Sequence, residues 1–524
     1  MKEESLLLLS DLQKLINQVV LIDYTIIILG GVCFMKPIFN PYLPSYEYIP
    51  DGEPHIFNNR LYIYGSHDRF NGTTYCENDY VCWSAPVDNL SDWRFEGEIY
   101  NRRQHPHKEE RMLLFAPDVV QGIDKRYYLY YSVAHSSRMS VAVCDSPAGR
   151  FEYLGDVKTK DGRVYGISPG DYVQFDPGVF IDDDNSVYLY SGFCPKKTED
   201  EHGRIMQGAF VCRLMPDMMT MYELPHIIIP RDFKCPENAG FFEASSMRKI
   251  GSTYYFIYSA RVNGLHYATS TYPDRDFVYR GRIHSASDIG LRGYTIENTA
   301  YPNGNTHGSI IDINGQYYIF DHRFTNNSSY CRQGVAEKIN IEKDGYIHQA
   351  EATSCGLNNA SLDACGTYPA YITCHVRNLS LTPDITKEDR LLLMPYVTQD
   401  GDDREAGDDQ YIKNIQNGCI IGYKYFNFDK QQSKKILIKI NIKGTAKGYI
   451  SITTDMDYAD KEFKDYNKNA STYIDISDTL HNNNSDNWKT IELHLSNPAG
   501  IKPLYFMFEG TGAFSIRDFT FIPD

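Results

Sequence analysis

Only three tryptophans occur in 524 residues, no two cysteines are spaced CxxC, and no apolar run reaches the length of a membrane span. Each scarcity excludes something. The longest charge-free apolar stretch, Tyr24 to Met35, falls short of the roughly 18 residues that a spanning helix needs. Asp11, Lys14 and Asp23 interrupt the apolar residues around it, Leu6 to Leu9 and Ile16 to Phe34. That segment also lacks a clear basic leader and cleavage site, so the expectation is a cytoplasmic protein, with secretion as the alternative. Translation from Met35 would account for residues 1–34 equally well, and they carry no functional argument. The 12 cysteines are scattered, far below the density of a disulfide scaffold and without zinc spacing, and read as buried free thiols in a reducing compartment. Basic residues are the minority: 52 Lys and Arg against 68 Asp and Glu leave a net charge of −16. That balance argues against a nucleic-acid partner and fits an uncharged ligand.

What is abundant is tyrosine, 42 residues, with 26 phenylalanines, suited to strands and to sugar-facing surfaces. One aromatic, β-branched phrase recurs five times: "RLYIYGSH" at Arg60, "RYYLYYSV" at Arg126, "SVYLYSGF" at Ser186, "TYYFIYSA" at Thr253 and "QYYIFDHR" at Gln316. The copies are about 60 to 67 residues apart, and each follows a turn such as "FNN", "DDDN" or "DING". Five hairpin-led units, each long enough for four short strands, predict a five-bladed β-propeller over residues 35–378 within an all-β chain. Stepping back about 10 to 12 residues from the central Tyr of each phrase reaches a polar residue every time: Asp51, Asp118, Asp176, Glu243 and His307. Inner strands line a propeller's channel, so these five are expected to converge at one mouth. Turn formation is the competing account, apt for Asp118 in "APDV" but strained for Glu243 in "GFFEASSMRKI".

Carboxyls crowded in a restricted channel cannot all ionise, so one stays protonated while another is charged. That is the division of labour that glycoside hydrolysis requires, and carboxyls spaced widely enough to admit water lead to inversion. The apolar neighbours Phe241, Phe242 and Ala244 place the acid at Glu243. Asp51, beside Gly52 and Pro54, suits the base, with Glu53 as a competing candidate, and Asp176 would orient the acid and adjust its pKa. His307 could bind a metal at the axis or hydrogen-bond a water. Arg323 offers a planar donor fork for sugar hydroxyls or for a catalytic carboxylate, or else makes a structural ion pair.

The phrases "NPYLPSYEYIPDGEPHIFNNRLYIYGSHD", "FAPDVVQGIDKRYYLYYSV", "DPGVFIDDDNSVYLYSG", "FFEASSMRKIGSTYYFIYS" and "NTHGSIIDINGQYYIFDHR" together resemble glycoside hydrolase family 43, from Asn40 to about Thr353. The resemblance implies a five-bladed propeller that cleaves β-xylosidic or α-L-arabinofuranosidic bonds with inversion. It puts the base on Asp51, the pKa modulator on Asp176 and the acid on Glu243. It further implies a hub histidine at His307, associated with calcium or a bound water, and a substrate-contacting arginine at Arg323; no cofactor is implied for the chemistry. Where the family usually has Asp-Pro at the base, this chain has Asp51-Gly52, so the local turn must differ.

After about Asn378 the repeat stops, and "SLTPDITKEDR" reads as a linker into a second unit, 379–524. In "KKILIKINIKG" Ile436, Ile438, Ile440 and Ile442 alternate onto one face, and "WKTIELHLSNPAGIKPLYFMFEGTGAFSIRDFTFIPD" continues in short strands. The expectation is a β-sandwich of jelly-roll type, similar from Asn487 and Trp488 to Phe519 to a family 6 carbohydrate-binding module. Trp488 is expected in the core, and Asp400, Asp402, Asp403 and Glu405 as a solvated loop. The expected partner is an oligosaccharide. Two other functions compete with hydrolysis: a non-catalytic sugar-binding propeller, and a glycoside phosphorylase. The phosphorylase would need Arg248 and Lys249 to aim together at a phosphate, which strand alternation opposes.

Overall fold

A computed structural model describes residues 38–107, 112–381, 385, 390, 392–403, 410–431, 433–476 and 488–523. Residues 1–34, Met35, Glu405 and Asn487 lie outside them. Among the described residues the regular secondary structure is almost wholly strand. Blade 1 is β1 (Glu53–Phe57), β2 (Arg60–Tyr64), β3 (Tyr80–Pro86) and β4 (Arg94–Tyr100), paired in that order. Blade 2 is β5 (Asp118–Gln121), β6 (Tyr127–Tyr131), β7 (Ser140–Cys144) and β8 (Glu152–Asp156). Blade 3 is β9 (Gly178–Ile181), β10 (Val187–Phe193), β11 (Gly208–Leu214) and β12 (His226–Pro230). Blade 4 is β13 (Phe241–Ile250), β14 (Thr253–Ala260), β15 (Leu265–Ser270) and β16 (Val278–His284). Blade 5 has three strands, β17 (Ile310–Ile313), β18 (Gln316–Phe324) and β19 (Arg332–Ile339). The five-bladed propeller expected from the repeat is the fold.

The repeated phrase is the second strand of each blade, and its composition follows from burial on both faces. In β2, Leu61 and Ile63 enter an apolar cluster shared with Tyr318 and Phe320 of blade 5, while Tyr62 and Tyr64 enter one shared with Tyr127 and Leu129 of blade 2. Tyr128 and Tyr130 of β6 pack with Leu189 of blade 3, Tyr190 of β10 packs with Phe256 of blade 4, and Tyr255 and Ile257 of β14 pack with Ile319 of blade 5. Five interblade clusters, each fed by alternate residues of two strands, thus form a closed ring of cores. The N-terminal segment seals it. Asn40 behaves as a one-residue strand, its Nδ2 donating to Ala336 O at 3.1 Å and its Oδ1 accepting from Ala336 N at 3.0 Å on β19.

The C-terminal strands form one ten-stranded sheet curled on itself: β20 (Leu362–Asp363), β21 (Gly366–Pro369), β22 (His375–Asn378), β23 (Tyr396–Thr398), β24 (Tyr411–Ile415), β25 (Cys419–Asn427), β26 (Lys435–Thr453), β27 (Ala470–Ile476), β28 (Lys489–Ser496) and β29 (Ile501–Pro523). The first three belong to this sheet although they precede the boundary expected at residue 379, because β21 pairs with β29 and β22 with β25. Two long strands serve both halves of the roll: β26 pairs first with β28 and then with β27, while β29 follows it throughout. Within this ladder Gly448 (φ +156°), opposite Gly510, admits Glu509 O to within 2.3 Å of where a Cβ would stand, a packing only glycine permits. Ile436, Ile438, Ile440 and Ile442 are all fully buried in the core between the layers. Trp488, by contrast, is half-buried at the margin, edge-on to Tyr411 and covered by Arg517 and Lys443. Asp403 is likewise no solvated residue: it accepts from Phe70 N at 2.7 Å and Asn78 Nδ2 at 2.9 Å, fastening its loop to blade 1.

Candidate active site

The strand register sorts the hub residues into two levels. Tyr64, Tyr130, Tyr190 and Ile257 stand opposite Glu53, Asp118, Gly178 and Ser246 on the innermost strands, and Phe320 N bonds to Ser309 O in the same relation. Two residues nearer the mouth come Asp51, Ala116, Asp176, Ala244 and His307. Asp51 and Asp176 have φ of +57° and +47°, in a left-handed region that Asp tolerates better than most residues. In blade 4 a register irregularity between Glu243 and Ser246, with Ala244 at φ +66°, brings Glu243 to the mouth instead. Asp51, Asp176, Glu243 and His307 accordingly line one cavity of about 250 Å³, together with Tyr75, Cys76, Phe115, Ala116, Phe175, Phe242, Asn305 and Arg332.

Two of the expected site residues do not reach it. Asp118 lies one level deeper, fully buried, accepting from Val119 N (2.7 Å), Val179 N (2.8 Å) and His55 Nε2 (2.7 Å), so it ties blades 1, 2 and 3 together. Arg323 is turned away toward the C-terminal unit, donating to Tyr371 O, Thr373 O and Gln333 Oε1 at 2.6–2.8 Å. The arginine of the cavity is Arg332 on β19. It is 1% exposed, donates to Asp51 at 3.0 and 3.3 Å, and is anchored by Asp68 at 2.8 and 2.9 Å. Glu53, the rival base, faces the channel below the cavity, bonded to Arg248 Nη2 at 2.8 Å and Ser246 Oγ at 3.1 Å. Gly52 explains the departure from Asp-Pro, since a Cβ there would stand 2.9 Å from Tyr42 Oη.

The electrostatics separate the carboxyls. Burial pushes Asp51 up, but the charges of Arg332, His322 and His307 outweigh it and hold Asp51 below the usual carboxylate range. Glu243 is driven well above that range by burial and then by the negative charge of Asp176. Asp176 is raised to about 7, chiefly by burial, with His307 pulling it down and Asp51 pushing it up. His307, despite its own burial, is raised to about 9 by Glu53 and Asp176, whose oxygens lie 3.7 Å from its two ring nitrogens. At neutral pH the cavity therefore holds an ionised Asp51, a protonated Glu243 and an imidazolium between Asp176 and Glu53. One carboxyl can accept a proton from water and another can give one to a leaving oxygen.

His307 is not part of a metal-capable cluster among the described residues. The group that has that make-up, Glu53, His55 and Asp118, does not fit a calcium ion. Both Asp118 oxygens, His55 Nε2 and Glu53 Oε2 already hold protein partners, which leaves Glu53 Oε1 free against the six to eight oxygens that calcium takes. Nor do Arg248 and Lys249 form a phosphate cradle: Lys249 turns outward to Asp182 and Asp183 at 2.6 and 2.8 Å, and Arg248 inward to the hub.

The chain matches the family model described as glycosyl hydrolases family 43 over residues 50–347. It is 44% identical over 503 residues, covering 93% of this chain and 100% of the relative, to a xylosidase/arabinosidase of Thermoclostridium stercorarium. It is 29% identical over 346 residues, covering 57% of this chain and 96% of the relative, to xylosidase/arabinosidase 43A of Humicola insolens. A solved structure similar to it is a glycoside hydrolase family 43 arabinoxylan arabinofuranohydrolase from Bacillus subtilis in complex with cellotetraose: 20% identical, covering 93% of this chain and 97% of that one, TM-score 0.48.

Proposed function

This chain belongs to family 43 of the glycosyl hydrolases, a family of glycosidases that need no cofactor for their chemistry, and we propose that it releases terminal β-D-xylose or α-L-arabinofuranose from short oligosaccharides with inversion. The observation that carries the reading is the opposite protonation bias of Asp51 and Glu243 in one cavity. Asp51 acts as base on a water, Glu243 protonates the departing glycosidic oxygen, and Asp176 holds the acid's proton affinity high. Arg332 keeps the base ionised, and Asn305, whose buried Oδ1 has no protein partner, faces the sugar's hydroxyls. A cavity of about 250 Å³ is smaller than the roughly 300–1,000 Å³ of pockets for drug-sized ligands, which suits one pentose ring and exo action. The names of the relatives support pentose substrates of both kinds. The described cysteines are all free, which supports a reducing compartment and small imported substrates. No helix among the described residues is long and apolar enough to cross a membrane.

The test is hydrolysis of p-nitrophenyl β-D-xylopyranoside and p-nitrophenyl α-L-arabinofuranoside side by side, with proton NMR of the first-formed anomer. Release of inverted pentose is expected. Turnover of neither glycoside, nor of xylo- or arabino-oligosaccharides, would sink the substrate assignment, and first-formed product of retained configuration would sink the mechanism.

A further inference from the structure

We propose that the guanidinium of Arg248 is the built-in cation of the propeller hub, balancing buried charge where a divalent ion would otherwise be needed, so that closure of this ring is independent of metal. Arg248 leaves β13, the innermost strand of blade 4. Its Nε donates to Ile310 O of blade 5 at 3.0 Å, and its Nη2 to Glu53 Oε2 at 2.8 Å and Pro54 O at 3.2 Å in blade 1. Its Nη1 returns to Met247 O at 2.9 Å and Ser246 Oγ at 3.3 Å. Blades 4 and 1 are separated around the ring by blade 5, so one side chain reaches across the channel and joins three of the five inner strands. Only a planar fork of five donors can satisfy acceptors so dispersed; an ammonium would reach fewer of them.

The charge argument is independent of the hydrogen-bond count. Glu53 is fully buried, and a carboxylate withdrawn from water is tolerated only with a paired charge. Its neighbours at the same level offer no cation: Asp118 is an acid, Ser246 and Ser309 are bonded to each other at 2.7 Å, and Gly178 has no side chain. His307 approaches Glu53 only at 3.7 Å, beyond hydrogen-bond reach, and is shared with Asp176. Arg248, in direct contact, therefore carries the larger share of the balance, and a divalent ion set against Glu53 would meet two positive side chains and one oxygen without a hydrogen bond.

The test is thermal melting and glycosidase activity of the full chain with excess EDTA and with millimolar CaCl₂. Both should be indifferent, with Tm constant to within about 1 °C. Arg248→Met strands Glu53 and should lower Tm by about 4–7 °C. Arg248→Lys, which keeps the charge, should recover part of the loss. The double variant Glu53→Gln/Arg248→Met, which removes both charges, should melt above Arg248→Met. A wild-type Tm or activity that falls on chelation or rises with calcium overturns the proposal, as does Arg248→Met melting like wild type. A double variant no more stable than the single one also overturns it, since Arg248 would then act by packing alone. If Arg248→Met yields no soluble protein, recovery of soluble protein in the double variant supports the charge role and its failure overturns it.

Discussion

Replacing Glu243, the proposed acid, by Gln keeps the shape of the side chain and removes the proton it would donate. Burial and the adjacent charge of Asp176 hold this carboxyl well above its ordinary range, which favours its protonated form. A positioned general acid contributes about 10²–10⁴ in rate, or about 3–5 kcal/mol at about 1.36 kcal/mol per decade. The loss should depend on the leaving group. For an unactivated xylo- or arabino-oligosaccharide, whose departing alkoxide must be protonated, kcat/KM should fall by the full about 10²–10⁴. For a 2,4-dinitrophenyl pentoside, which leaves as a stable anion, the fall should stay within about tenfold, and the basic limb of the pH profile should disappear. The assay is initial-rate hydrolysis of both substrates over pH 4–9 by wild type and variant. Equal losses on the two substrates would refute the assignment, because an acid is dispensable for the good leaving group and a merely structural residue is not.

Arg332→Met removes the nearest positive charge from Asp51. Asp51 is held below its ordinary range, so its carboxylate should become harder to ionise, the acid limb of kcat/KM should move to higher pH, and activity near pH 5 should fall more than at pH 7. The same change leaves Asp51 and Asp68 buried without their shared partner, at a cost of about 3–5 kcal/mol. Because the depressed pKa of Asp51 stabilises the fold above its unfolded value near 3.9 and ceases to do so as pH falls through the folded value, the destabilisation should be largest near neutrality; an unmoved acid limb would contradict the role given to Arg332. Lys424→Met tests the joint between propeller and curled sheet. Lys424 is 2% exposed and donates to Asp288 at 2.7 Å and Glu351 at 2.8 Å, so its loss should cost about 3–5 kcal/mol and lower Tm by several degrees in a melting curve, whereas an unchanged Tm would show the joint to be held by its apolar contacts.

The ring of blades was legible in the sequence because the second strand of each blade is buried on both faces, and a strand without a solvent face reads as a run of aromatic and aliphatic residues, here repeated five times. The site was legible only in part, because counting back along the chain assumes that every hairpin has the same length. Blades 1, 4 and 5 turn in two residues, such as Asn58 and Asn59 between Phe57 and Arg60, whereas blades 2 and 3 take five, Gly122 to Arg126 and Asp182 to Ser186. The longer turn puts the mouth residue of blades 2 and 3 twelve positions before the central Tyr instead of eleven; in blade 3 that residue is Asp176, but in blade 2 it is Ala116, which carries no chemistry, so the nearest polar residue is Asp118, two positions too deep. In blade 4 a bulge compensated, so Glu243 was found for a reason the repeat could not contain. The arginine was misassigned by a different mechanism. Arg323 and Arg332 lie in neighbouring positions of one ladder, opposite Gln333 and Phe324 respectively, and the composition of the two strands does not say which guanidinium faces the channel. The partners that decide it come from remote segments: Thr373 and Tyr371 draw Arg323 outward, and Asp68, 264 positions from Arg332 in sequence, draws the other inward. The residue with the most bonds to other strands at the hub, Arg248, was visible only as half of a phosphate site that alternation ruled out. The same alternation that turns Lys249 to Asp182 commits Arg248 to the channel, where its partner is the buried carboxylate of Glu53.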